Sequence, residues 1–427
     1  RVNYSYKDRY MLSGSIRREG SSKFAENKRW ANFWALSGGW RISNEAFMEN
    51  VTWVDDLKIR LGYGVTGNND FSSSYMANML GSDTYWMLPD GTWAYSYGKS
   101  QNVNPNLGWE EKKEWNLGLD YSLFKNRLYG KIDVYRRKVD GMIYSVKVPQ
   151  PPFTQGSQYQ NIGNMENKGW ELEIGGDIVR TKDWTYTSSI NLSHNKTKIL
   201  SLWGDNTYYT AAGFPAPGSP GDALRIEEGT TIGDFYIWKF AGFDETGNFL
   251  LYNKDGEVIP AKEKTQSDKQ YVGNYMPKLI ASWNHTVKYK NWDLGINLRS
   301  WIDYDIYNTI NMYFGIKNVD DLNVLKAAYG KFDHITGEKQ LCDYYLEDGT
   351  FLKIDAITLG YEVPIKKYTK LIDRLRVYGT VGNVATITGY SGMNPEVNIT
   401  GWEGGIEWFD GIYPQVRTYT IGLQLNF

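Results

Sequence analysis

The sequence predicts an all-β protein, an antiparallel up-and-down β-barrel built to cross a membrane. Three observations predict it. Apolar and polar residues alternate along many segments, the last being RTYTIGLQLNF, Arg417 to Phe427. The connections between those segments alternate between very short and very long. Aromatic residues make up 15% of 427 residues, and glycine contributes 44, about a tenth against a typical ~7%. That enrichment suits strands joined by tight turns.

No run of eighteen or more apolar residues occurs, and mean hydropathy is −0.52. A transmembrane helix is therefore absent. A barrel wall needs only every second residue apolar, so its average hydropathy resembles that of a water-soluble chain. The formal charge of −2 offers no electrostatic attraction for nucleic acid. One cysteine, Cys342, excludes an internal disulfide framework and a Cys-rich metal site. The chain opens on Arg1-Val2-Asn3-Tyr4-Ser5-Tyr6 without a methionine. This reads as a cut end inside a strand, so the chain is expected to be part of something longer.

Thirteen strands are expected, in chain order near 1–6, 10–18, 30–42, 57–66, 112–124, 128–145, 165–180, 184–199, 276–289, 292–306, 351–363, 375–387 and 417–427. In the fifth, Trp115, Leu117, Leu119, Tyr121 and Leu123 alternate with Glu114, Asn116, Gly118, Asp120 and Ser122. The eighth alternates Trp184, Tyr186, Ile190 and Leu192 with Thr185, Thr187, Ser189 and Asn191, Ser188 being out of step. The tenth sets Trp292, Leu294, Ile296 and Leu298 against Asp293, Gly295, Asn297 and Arg299. In the twelfth, Leu375, Val377 and Val381 alternate with Arg376, Tyr378 and Thr380. Each such strand has one dry face and one wet face. The dry face suits lipid, and the wet face, with Asp120, Asp133, Arg299 and Arg376, suits a polar lumen.

Short polar links such as Lys125-Asn126-Arg127, Lys182-Asp183 and Lys290-Asn291 alternate with long ones near 67–111, 146–164, 201–275, 308–349 and 388–416. Outer-membrane barrels put short turns on the periplasmic rim and long loops outside. Trp184, Trp292, Phe124 and Phe427 sit beside the short turns or the chain end, where an interfacial aromatic girdle belongs. A soluble β-sandwich or propeller shares the alternation but gives no reason for short and long connections to alternate. Pro149-Gln150-Pro151-Pro152 and Phe214-Pro215-Ala216-Pro217-Gly218-Ser219-Pro220-Gly221 cannot continue a sheet ladder, because proline lacks the N–H. They mark stiff loops.

Several stretches also carry a family likeness: RVNYSYKDRYMLSGSIRREGSSKF (Arg1–Phe24), DDLKIRLGYGVTGNND (Asp55–Asp70), LGLDYSLFKNRLYGKIDVYRRKVDGMI (Leu117–Ile143), NIGNMENKGWELEI (Asn161–Ile174), VGNYMPKLIASWNHTVKYKNWDL (Val272–Leu294), LEDGTFLKIDAITLGYEVP (Leu346–Pro364), LRVYGTVGNVATITGYSGMNPE (Leu375–Glu396) and YPQVRTYTIGLQLNF (Tyr413–Phe427). Together they resemble the C-terminal part of SusC-like (SusC/RagA family) TonB-dependent outer-membrane transporters. The resemblance implies a 22-stranded barrel closed by an N-terminal plug. Thirteen strands would be its C-terminal portion, with the plug, the TonB-contacting segment and the first nine or so strands absent from this chain. It implies partners: those missing segments, a SusD-like surface lipoprotein seated on the long extracellular loops, TonB, and outer-membrane lipid. It further implies import of a nutrient, a glycan or an oligopeptide, and a terminal strand (Tyr419, Ile421, Leu423, Leu425, Phe427) that serves as the barrel-assembly signal. A passive porin-like or adhesin barrel and a soluble glycan-binding β protein are the alternatives.

No catalytic residues, metal ligands or cofactors are expected. His194, His285 and His334 lie far apart in sequence, outside metal-type spacing and away from nucleophile motifs. Asp244-Glu245-Thr246-Gly247-Asn248 lacks the twelve-residue calcium pattern, and Asp255-Gly256 suits a hairpin turn. Candidate ligand-binding residues are the loop aromatics Tyr85, Trp86, Trp93, Tyr95, Trp203, Trp402 and Trp408, with Tyr208 and Tyr209 near Trp203. Aromatic faces stack on sugars and pack against peptide side chains; self-packing of the loops or an interfacial girdle would also account for them.

Overall fold

The computed structural model describes residues 1–427 except 25, 71–79, 205–206, 215–219, 318–322, 369–370 and 409–412. Most of the second proline-rich stretch thus lies outside the described residues. Thirteen strands form one sheet whose order is the order of the chain. They are β1 (Val2–Tyr6), β2 (Tyr10–Gly20), β3 (Trp30–Arg41), β4 (Val54–Asn68), β5 (Glu110–Leu123), β6 (Leu128–Asp140), β7 (Gly163–Arg180), β8 (Trp184–Leu202), β9 (Leu279–Tyr289), β10 (Trp292–Ile302), β11 (Phe351–Val363), β12 (Arg374–Thr388) and β13 (Thr418–Asn426). Every neighbouring pair is antiparallel. All thirteen expected strands are present, and β1 and β13 form the two edges of the sheet.

Parity along each strand separates the two faces. On β5, Trp115 and Leu117 are each 53% exposed, while Asp120 on the opposite face is held by Arg60 through two bonds of 2.8 Å. On the terminal strand, an edge of the sheet exposed on both sides, Tyr419, Ile421, Leu423, Leu425 and Phe427 share one parity and are all exposed. An exposed apolar face on strand after strand is what lipid requires of a barrel wall. Two aromatic rows border it. At the short-turn rim, Trp53 stacks on Phe124, and tilted pairs form between Trp184 and Tyr289 (4.3 Å between centroids) and between Trp292 and Tyr361 (4.6 Å). Toward the long connections, Trp34, Tyr63 and Trp115 form a second row with centroids 5.0 and 4.5 Å apart.

The short turns are tight. Phe124, Lys125 and Asn126 all adopt left-handed backbone, φ 58–60°, and the Asn126 N–H is anchored on Asp55 at 2.9 Å. The long connections are folded in their own right. Strand β6 stops five residues short of its expected end at 145. Gly141 takes φ +71°, turns the chain off the wall, and Ile143–Lys147 pairs instead with Ser157–Asn161. Strand β10 stops at Ile302 before Asp303 (φ 60°), and Asp305–Asn308 joins Leu346–Asp348 and, in parallel, Ile406–Glu407. The expected Asp255-Gly256 turn does join Phe249–Tyr252 to Val258–Pro260.

Candidate functional site

Segments from three long connections, after β8, β10 and β12, share one core. Phe235, Ile237, Leu251, Tyr275, Tyr307, Met312, Ile335 and Cys342 are all fully buried there. Its burial pushes the Cys342 thiol far above its ordinary range, which leaves it an inert apolar filler. A second, smaller core joins Val139, Met142, Val146 and Ile162 to Ile199, Tyr209 and Ile226. These apolar cores make the long connections a folded body mounted on the wall, with fixed surfaces that can present a site.

Where that body meets the hairpin of Ile143–Lys147, a pocket of about 550 Å³ opens. Its walls are Tyr144, Lys147, Tyr208, Tyr209, Asp222 and Glu403. The volume lies in the range of small-ligand sites, ~300–1,000 Å³. Tyr144 is fixed edge-on to Trp402 (5.6 Å) and Tyr209 (5.9 Å). Burial, with Glu403 and Asp222 nearby, pushes its hydroxyl pKa up to about 12, so it stays a neutral donor. Tyr208 lies under the Arg225 guanidinium at 3.9 Å, a cation–π contact that orients its ring. Asp222 accepts from Lys147 at 3.2 Å and from the Thr210 hydroxyl. Beside it Lys269, buried against Trp238, has its pKa pushed down to about 8. Aromatic faces beside paired charges can hold a polar, partly apolar solute.

The expected site residues separate in the fold. Trp402 is half-buried between the two loop cores, and Trp408 packs edge-on to Phe214 at 5.3 Å. Trp203 is 45% exposed and lines a larger amide-rich cleft, about 980 Å³, with Trp30, Trp109, Asn104 and Asn161. Two other residues of that cleft, Glu111 and Asp140, are in register with one another and share the parity of Trp115 and Arg136, on the outward face. Tyr85, Trp86, Trp93 and Tyr95 belong to a separate hairpin, Leu80–Met87 with Trp93–Lys99. Tyr85 and Tyr95 face each other across it, hydroxyls 2.6 Å apart, and all four are more than half exposed. Sequence reasoning missed Tyr144, which lay inside an expected strand until Gly141 broke it.

The inner wall is polar and internally paired. Arg60 bridges Asp120 and Asp133 (3.1 Å), Arg376 holds Asp293 through bonds of 2.8 and 2.5 Å, and Arg299 holds Asp355 at 3.0 and 3.1 Å. In the loop body Asp244 accepts from Asn248 and Thr246 at 2.8–3.1 Å, and these donors, the Asn248 N–H foremost, hold its carboxyl down to about 2. Among the described residues no group of three His, Cys, Asp or Glu is placed to hold a metal ion.

A wall dry outside, polar inside and ringed by aromatic rows defines a membrane-spanning β-barrel. Residues 1–319 match the family model described as TonB dependent receptor-like, beta-barrel, and the chain belongs to that family of outer-membrane receptors and transporters. It is similar over its whole length to TonB-dependent receptor SusC of Bacteroides thetaiotaomicron, at 31% identity, covering 43% of that protein. It is likewise similar to TonB-dependent receptor P3 of Formosa agariphila, at 29% identity, covering 45%. Among solved structures it resembles the RagAB peptide transporter with a TM-score of 0.83 and 26% identity, covering 100% of this chain and 47% of the other. The RagAB peptide importer in its open-open state gives 0.79 and 25%, covering 46% of that chain. The SusC/RagA likeness read from sequence therefore holds in both sequence and fold. The chain spans a little under half the length of these relatives, and it is barrel: among the described residues there is no plug domain.

Proposed function

We propose that the protein imports a polar oligomer, an oligopeptide or a glycan, across the outer membrane by TonB-dependent transport. The whole-length likeness to the RagAB peptide transporter, at a TM-score of 0.83, carries this reading. In it, the thirteen strands are the C-terminal part of a 22-stranded barrel. Unpaired sheet edges are not tolerated in lipid, so the edges at β1 and β13 pair with further strands of the same transporter, which also brings the plug and the TonB-contacting segment. The long connections are extracellular, form the seat of a SusD-like lipoprotein, and hold the solute at the Tyr144–Tyr208–Tyr209 pocket. The hairpin aromatics Tyr85, Trp86, Trp93 and Tyr95, with Trp402 and Trp408, line or brace the solute's route, whereas Trp203 belongs to the outward cleft. The β13 face from Tyr419 to Phe427 is read by the assembly machinery.

The test is purification of the full-length protein from its native membrane, mass spectrometry of the bound solute, and uptake of that solute by cells with and without TonB. Bound peptide or glycan and TonB-dependent uptake are expected. Uptake that persists without TonB would make the barrel a passive porin and reject the proposal.

A further inference from the structure

Beyond the second aromatic row, the outward faces of β5 to β8 change character. Parity places Lys113, Arg136, Lys138, Lys168, Lys196 and Lys198 there, in step with Trp115 and Trp170. Only Glu111, Asp140 and Glu166 face them, which leaves an excess of three positive charges. Asp140 is taken by Lys113 (2.7 Å) and Lys138 (3.0 Å). Glu166, 7% exposed, is clamped between Arg136 (2.5 Å) and Lys168 (2.6 Å). Lys196 and Lys198 are exposed and have no ion-pair partner among the described residues.

The cluster is local. The outward residues of β9 to β12 toward their long connections are Leu279, Ala281, Ser300, Ile302, Leu352 and Ile387, without a charge. Nor is the cluster a flat patch. Arg136, Lys168, Lys196 and Lys198 rim a groove of about 640 Å³ whose floor is Trp115, Leu117, Val134 and Trp170. That floor runs into the apolar band of the wall, where Val134 is 53% exposed. The groove is therefore dry at the membrane side and cationic at the long-connection side.

We propose that this groove binds a phosphate-bearing lipid of the outer leaflet, acyl chains on the Trp115–Trp170 floor and phosphate on Lys168, Lys196 and Lys198. Bare cations facing a bilayer are costly unless they lie at headgroup depth and meet anions. A transported solute in water does not reach a lipid-facing groove, so the occupant is membrane lipid. Glu166 holds Arg136 and Lys168 at the rim without neutralising the lysines of β8. The proposal takes the long connections to be extracellular and makes no use of the solute or of TonB.

The test uses the full-length protein, delipidated in neutral detergent and titrated by native mass spectrometry with bis-phosphorylated lipid A, the same lipid dephosphorylated, and inorganic phosphate. The phosphorylated lipid is expected to bind and the other two to bind far more weakly. Lys196→Gln/Lys198→Gln removes two charges without orphaning a carboxylate. At ~1 kcal/mol for each lysine near an anionic headgroup, it should weaken lipid binding roughly 30-fold. The same charge change at the opposite rim, Lys125→Gln/Lys182→Gln, should leave binding unchanged, and both variants should keep the native heat-dependent shift on SDS gels. Equal binding of the dephosphorylated lipid, equal binding of free phosphate, or equal loss in both variants would overturn the assignment. Loss of TonB dependence in the uptake assay would reject the import reading and leave this one standing.

Discussion

Glu407 is fully buried, 0% exposed, where the connections after β10 and β12 meet. Its Oε2 accepts from the Tyr390 hydroxyl at 2.7 Å, and its Oε1 accepts from the Met393 and Asn394 amides at 2.9 Å each. Its own carbonyl accepts from the Thr309 hydroxyl. Glu407→Ala would keep the backbone bonds and strip the acceptor from one buried hydroxyl and two part-buried amides. At ~1–3 kcal/mol for each unsatisfied buried donor, less what water entering the vacated space and removal of a buried charge restore, the net loss should be about 4 kcal/mol. At 1.4 kcal/mol per factor of ten, that is on the order of a thousandfold in the local opening equilibrium. Glu407→Gln keeps one oxygen for the two amides and gives Tyr390 a donor instead of an acceptor, so it should cost about 1 kcal/mol or less. Hydrogen exchange of residues 305–313 and 390–407 in the full-length protein measures both, since loop bodies open independently of a barrel. Protection in the Ala variant within tenfold of native, or an equal loss in the Gln variant, would refute this account. The pH dependence has a definite sign. Burial raises the Glu407 pKa in the folded state, so its contribution is fully present below the unfolded value and is lost as pH rises through the folded one. Native protein should therefore gain protection relative to the Gln variant on acidification from pH ~7 toward pH ~4.

Three further outcomes are expected. Arg60→Ala should orphan Asp120 and Asp133 on the inner wall and lower barrel stability by ~1–3 kcal/mol, read as a lower temperature for unfolding on SDS gels, with Arg60→Lys restoring part of it. Leu423→Arg, on the lipid face of β13, should cost ~2–4 kcal/mol and reduce surface levels, whereas Gln424→Arg one residue along faces the lumen and should not; equal loss in both would contradict the face assignment. Tyr208→Ala should weaken binding of the co-purified solute about tenfold, as expected for a lost stacking ring, measured by calorimetry, while Tyr85→Ala on the separate hairpin should change it less.

The amino-acid sequence by itself determined the wall. Each wall residue meets lipid or lumen according to its parity, so the code is local: Trp115, Leu117 and Leu119 announce their face without any knowledge of their neighbours. The alternating lengths of the connections are equally local, and strands β1 to β13 fall where the alternation puts them. Where a strand leaves the wall was less legible. The apolar pattern runs on through Ile143 and Tyr144, and only the left-handed turn at Gly141, braced by Asn161 and Asn164, ends β6. Tertiary structure alone decided the rest. Glu407 meets Thr309 across 98 residues, and Tyr144 meets Trp402 from a connection on the far side of six intervening strands; no window of sequence contains such a contact. The cationic groove has the same origin. Lys196 and Lys198 stand two apart on β8 like any solvated pair, and become a site only because strand register sets them beside Lys168, Arg136 and the apolar floor of the wall.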